Sequence, residues 1–137
     1  MGRYFFNWWN RGTPVDISEL VGKTITKITG AEVDNDEIRI ECSDGTKYLM
    51  YHEQDCCECV TIEEIFGNIS DLVGVPIAMA ECVENSELPG KEEWDDSYTW
   101  TFYKFATVKG YVTIRWYGSS NGWYGEEVDF VRVEEGE

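Results

Sequence analysis

The chain has 137 residues, 42% hydrophobic and 15% aromatic, and its 27 acidic and 11 basic side chains give a formal net charge of −16. That length suits one domain with a substantial core and is short for two, while six Trp and eight Tyr argue against a disordered acidic chain. From Glu32 to Trp100 there are 19 acids against three bases (Arg39, Lys47 and Lys91), which accounts for the whole net charge; such a field repels nucleic acid and anionic membrane and attracts basic protein surfaces.

The first fourteen residues form an aromatic segment with Tyr4, Phe5, Phe6, Trp8 and Trp9. It is too apolar to stand free in water, so it is expected to pack on the domain or on another protein. It lacks the uninterrupted apolar core and small-residue cleavage site of a secretory signal, and no later apolar run has membrane-spanning length; a cytoplasmic setting is expected. Residues 15–137 are taken as a single domain.

After a short turn or helical start at Asp16–Leu20, the pattern becomes β. Ile25 and Ile28 sit in a Thr-rich run, and Ile38, Ile40 and Cys42 alternate with Arg39 and Glu41. Asp34-Asn35 and Ser43-Asp44-Gly45 mark the turns, and a third strand runs over about 46–53. Thr61-Ile62-Glu63-Glu64 has capping-box spacing, and Ile62, Ile65, Phe66 and Ile69 follow with helical spacing, which predicts one short helix. A strand from about Pro76 to Val83 precedes an acidic loop from Glu84 to Ser97, predicted to be mobile. TWTFYKFATV, YVTIRWYG and WYGEEVDFVRV then predict a three-stranded meander, giving an α+β domain, mostly antiparallel sheet with one helix after the third strand.

Chemistry concentrates in YHEQDCCECV, residues 51–60, which holds the only histidine, His52, with Cys56, Cys57 and Cys59. These four are candidate metal ligands, but the C-C-x-C spacing differs from the C-x2-C pairs of structural zinc sites. Consecutive side chains of an extended chain also point apart. A nucleophilic thiol needs positive neighbours, and carboxylates surround this one; His52 and the predicted helix start are the partial counter-arguments. With an odd number of cysteines, two of them adjacent, reduced thiols are the default. The preferred alternative is structural, with cysteines packed as small apolar groups and His52 satisfying backbone groups at a crossing. No other catalytic constellation is complete, no catalytic residue is assigned, and no cofactor is implied.

The blocks MYHEQDCCE, IEEIFGNISDLVGVPI and TWTFYKFATVKGYVTIRWYGSSNGWY resemble a family of small acidic bacteriophage and prophage proteins of unknown function, over about residues 20–133. The resemblance implies a bacterial cytoplasmic setting, a single α+β domain and no transferable catalytic residue. Against the family pattern Cys59 stands where serine is more usual, which weakens a metal site that includes it.

The function expected is a non-enzymatic accessory protein that binds a basic host protein, of the host-defence-antagonist, anti-CRISPR-like or DNA-mimic kind, with carboxylates in place of phosphates. The partner-binding candidates are Glu84, Glu87, Glu92, Glu93, Asp95 and Asp96 in the acidic loop, Trp8 and Trp9, and the face of Tyr111, Arg115 and Tyr117. The alternatives are a metal-binding or thiol-based enzyme centred on His52 and Cys56/Cys57, and a phage structural or assembly protein.

Overall fold

A computed structural model describes residues 11–53, 57–122 and 125–133. The expectations placed on Trp8, Trp9 and Cys56 lie outside them. The described residues form nine strands: β1 Thr13–Pro14, β2 Ile25–Thr29, β3 Glu37–Cys42, β4 Lys47–Tyr51, β5 Cys59–Phe66, β6 Met79–Asn85, β7 Ser97–Thr107, β8 Gly110–Ser120 and β9 Asp129–Val133. They make two sheets, ordered β1-β9-β4-β3-β2 and β5-β8-β7-β6, in which every neighbouring pair is antiparallel. The only helical pieces among the described residues are 3-10 turns at Ile17–Leu20 and Ile69–Leu72. The fold is therefore nearly all β, and the α+β expectation is corrected.

The predicted helix is strand β5, and the error has a local cause. Ile62 pairs with Trp116 and Glu64 with Arg115, so Glu63 is an extra, bulged residue. A bulge shifts the inward-outward alternation by one position. Ile62, fully buried, and Ile65, packed against the core, therefore reach the same side at a spacing of three, which imitates a helix. The supposed capping residue Glu64 instead bonds the Arg115 guanidinium across the strand pair, at 2.5 Å.

The C-terminal meander is corrected as well. β7 and β8 form the predicted hairpin, but the free edge of β8 is taken by β5, from Cys59 opposite Ser119 to Phe66 opposite Thr113. The last strand crosses to the other sheet and pairs with β4, Lys47 to Tyr51 lying opposite Val133 to Asp129. Phe130 is held there by stacking on Tyr48, with centroids 5.2 Å apart and rings 9° from parallel.

The sheets share one core. Ile38, Ile40, Tyr48, Met50, Val128 and Phe130 from the first meet Val60, Ile62, Phe105, Val112, Ile114 and Trp116 from the second. Alternation along β4 sends Tyr48 and Met50 inward, while Leu49 and Tyr51 join Val131 in a smaller buried cluster on the outer side. The predicted turns are present: Asp34 has a positive φ of 78° and Gly45 one of 89°. The tip of the β2–β3 hairpin also ties the two sheets, since the Asp34 N–H donates to the Ile62 carbonyl and the Ile62 N–H to the Asn35 carbonyl, both at 2.8 Å.

Candidate functional site

The YHEQDCCECV stretch is a crossing between sheets, because β4 ends at Tyr51 in one and β5 begins at Cys59 in the other. His52 and Glu58 sit at its two ends, both buried. Imidazole Nδ1 lies 2.8 Å from the Glu127 carbonyl oxygen, and Nε2 lies 2.8 Å from Glu58 Oε2. A carbonyl only accepts, so Nδ1 carries a hydrogen. The Nε2–Glu58 contact is then a hydrogen bond only if one further proton sits on Nε2 or on the carboxyl group.

This arrangement leaves neither ring nitrogen of His52 open to a metal. Cys59 is exposed, while His52 is buried, and Cys57 is disulfide-bonded, which removes its thiolate from ligand duty and corrects the expectation of reduced thiols at that position. No group of three or more His, Cys, Asp or Glu side chains is placed to hold a metal ion among the described residues. Burial, followed by the charge of Asp44, pushes the Cys42 thiol up to about 11, and burial raises Cys82, so neither is disposed to be a thiolate at neutral pH.

Among the described residues the partner-binding candidates other than Glu84 lie on the strap between β6 and β7 or on the outer face of the second sheet; Glu84 lies opposite the inward-facing Thr101 on the edge strand β6. The segment between β6 and β7 begins with an Asn85 turn, in which the side-chain oxygen accepts from the N–H groups of Glu87 and Leu88 at 2.7 and 3.0 Å. It then folds back over the sheet. The Trp100 indole N–H donates to the Pro89 carbonyl at 3.0 Å, the Tyr117 hydroxyl accepts from the Lys91 N–H at 3.0 Å and donates to Asp95 at 2.6 Å, and Lys91 Nζ donates to Glu63 at 2.7 Å. The loop predicted to be mobile is thus pinned at four points to three strands, β7 at Trp100, β8 at Tyr117 and β5 at Glu63. Burial, then the Asp95 hydrogen bond, pushes the Tyr117 hydroxyl up to about 12.

That strap sorts the candidates. Glu84, Glu87, Glu92, Glu93 and Asp96 are exposed, whereas Asp95 is half-buried and engaged with Tyr117. Tyr117 is buried under the strap, tilted against Trp100 with centroids 4.5 Å apart and stacked on Tyr98 at 6.0 Å, so it does not share an exposed platform with Tyr111, which is 77% exposed. Arg115 is half-buried, with its guanidinium 4.8 Å from the Trp100 ring centre and 5.4 Å from that of Phe66. Between strap and sheet lies a pocket of about 130 Å³ whose lining includes Cys59, Thr61, Ser119 and Tyr117. It is smaller than the roughly 300–1,000 Å³ of ordinary ligand sites.

Several residues of these sites were not singled out by pattern. Glu58 and Glu127 as the partners of His52 follow only from the crossing. Glu126 is a buried carboxylate that accepts from the Thr99 hydroxyl at 2.9 Å and the Ser120 hydroxyl at 2.6 Å, and abundance among 27 acids hid it. Trp94, 75% exposed inside the acidic strap, carried a legible signal, an isolated large aromatic in a charged run.

Two antiparallel sheets packed face to face, one carrying an aromatic outer face under an acidic strap, place the protein in the class of all-β sandwiches. Within that class the chain belongs to a particular family, a domain of unknown function designated DUF7448, whose model matches residues 18–130. Neither a curated protein nor a solved structure matches the chain. The matched span runs from the first 3-10 turn into β9 and leaves out the aromatic segment 1–14. No helix among the described residues is long and apolar enough to cross a membrane.

Proposed function

We propose that the protein is a non-enzymatic accessory protein, of phage or prophage provenance, that binds a basic protein of its bacterial host through the strap between β6 and β7. The observation that carries this reading is the strap itself. Glu87, Glu92, Glu93 and Asp96 are exposed on a segment held to Trp100 and Tyr117, with Trp94 standing 75% exposed among them. A segment already ordered loses little entropy on docking, and an exposed Trp beside carboxylates suits a surface that pairs an apolar pocket with Lys and Arg. The provenance rests on the resemblance of the YHEQDCCE and TWTFYK blocks. An antagonist of a nucleic-acid-binding enzyme is the natural form of this role, since a basic channel shaped for phosphates accepts carboxylates.

The test is capture from bacterial lysate by the wild-type chain and by a variant with Glu87, Glu92, Glu93 and Asp96 changed to Gln or Asn. A basic protein retained by the wild type, released by salt and lost in the variant supports the role. Equal capture by both, or retention insensitive to salt, overturns it. For the competing metal or thiol enzyme, the specific observation is adverse: both nitrogens of His52 are engaged, and Cys59 is exposed while His52 is buried.

A further inference from the structure

The outer face of the first sheet carries a buried apolar cluster, although the side of an antiparallel sheet turned away from the core is commonly wet. Leu49 lies opposite Arg39 and Val131, and Tyr51 opposite Glu37 and Asp129, one row further along. Tyr48, Met50 and Phe130, which alternate with them, point into the core, so these rows face outward. Leu49, Tyr51 and Val131 are nevertheless only 3% exposed each, with Val133 packed beside them. Neighbours in the sheet shield only the flanks of such side chains, and closing them off from above takes a further layer of chain.

The stem of that layer is visible at the start of β1. This strand takes the edge beside β9, with Thr13 opposite Arg132, so a continuation in the sheet plane would hold residue 11 three strand spacings, roughly 14 Å, from β3. Yet the Arg11 guanidinium lies 5.2 Å from the Tyr51 ring centre on β4 and donates to Glu37 on β3 at 2.8 Å, farther in than an arginine side chain reaches from the edge. The chain has therefore climbed onto the outer face by Arg11. Gly12 permits the climb, since a Cβ there would sit 2.5 Å from the Arg132 carbonyl oxygen and 3.0 Å from Val131 Cγ2.

Ten residues precede Arg11 in the sequence, and extended they span about 33 Å, more than the width of this face. They include Tyr4, Phe5, Phe6, Trp8 and Trp9, whereas residues 134–137 at the other end are Glu-Glu-Gly-Glu and offer no apolar group. Residues 1–15 hold Arg3 and Arg11 and no acid, on a chain of net charge −16, and Glu37 and Asp129 flank Tyr51 in its row. We infer that residues 1–10 lie across the outer face of the first sheet of their own chain, as an aromatic cover over Leu49, Tyr51 and Val131. Trp8 and Trp9, three and two residues before Arg11, come onto the face first. The cover withdraws them from any partner surface and leaves recognition to the strap on the other sheet.

The inference does not rest on the proposed function, because the strap and the cover belong to different sheets. Nuclear Overhauser spectra of the full chain with labelled Leu and Val methyl groups test it. Cross-peaks are expected from the Leu49 and Val131 methyls to ring protons of residues 4–9. Trp8→Ala with Trp9→Ala should remove the strongest of these and shift both methyl signals, since ring-current shielding is lost, while Trp94→Ala on the strap should leave them in place. The wild-type cross-peaks decide the matter even if the paired variant fails to fold. Their absence, the result if the segment serves another protein, overturns the inference. So do cross-peaks seen only between differently labelled chains in a mixed sample, which would put the segment on a second copy, and so do methyl signals unmoved in a folded Trp8→Ala, Trp9→Ala variant.

Discussion

His52 and Glu58 are joined by a buried 2.8 Å contact that closes the passage between the two sheets, and the Glu127 carbonyl fixes the tautomer that makes this contact depend on one proton. Truncating one partner of a buried ionisable pair leaves the other without compensation. His52→Ala is therefore expected to cost about 3–5 kcal/mol in denaturant unfolding. Glu58→Gln supplies its own N–H to Nε2 of a neutral imidazole, so its cost should stay within about 1 kcal/mol. Equal losses in the two variants would show that the shared proton is not what the pair depends on.

Tyr117 and Asp95 define the second prediction. Tyr117→Phe removes one accepted and one donated hydrogen bond while preserving the ring packing, and should cost roughly 1–3 kcal/mol. Amide exchange at Lys91 should accelerate more than at strand β7 residues. An unchanged Lys91 amide would mean that the strap is held without the hydroxyl.

Asp129 gives a pH dependence of defined sign. Burial, then the charge of Glu127, raises its carboxyl above the ordinary 3.8, with His52 acting against them. A raised acid binds its proton more tightly in the folded state, so the folded protein holds more protons than the unfolded chain within the window. Its contribution to stability is present below 3.8 and is lost as pH rises through the raised folded value. Asp129→Asn should thus be at least as stable as wild type at neutral pH and lose that advantage near pH 3. A wild type that gains stability over Asp129→Asn as pH rises from acid to neutral would contradict this.

Gly67 and Gly45 form a matched pair, with positive φ values of 95° and 89°. A Cβ on Gly45 meets nothing within 4 Å, whereas one on Gly67 would sit 2.3 Å from the Tyr111 carbonyl oxygen. Gly45→Ala should cost about 1–2 kcal/mol, the left-handed penalty alone. Gly67→Ala should cost more, since the backbone of β8 has to shift. Equal melting temperatures for the two would indicate that the turn after β5 relaxes freely around Gly67.

Much of the sheet structure was legible. Alternation marked Ile38, Ile40 and Cys42 as one buried face, and Asp34-Asn35 and Ser43-Asp44-Gly45 as turns, because those signals act between near neighbours in sequence. The failures have two causes, a local bulge and a long-range choice of edge. At Ile62 and Ile65 a single bulged residue converted a period of two into a spacing of three. For β9, the pattern identified a strand but held nothing about which edge was already occupied.

For the candidate sites the division falls in the same place. By itself the sequence determined the acidity of residues 32–100, the concentration of reactive side chains at 51–60 and the aromatic character of β7 and β8, all properties of composition and local order. Only the tertiary structure decided that His52 spends both nitrogens on Glu58 and Glu127, that Tyr117 lies beneath an acidic strap while Tyr111 stands exposed, and that Leu49, Tyr51 and Val131 are buried on the outer side of their sheet. Those outcomes depend on pairings between residues far apart in sequence, and such pairings are set by which faces and edges remain free once the two sheets have packed.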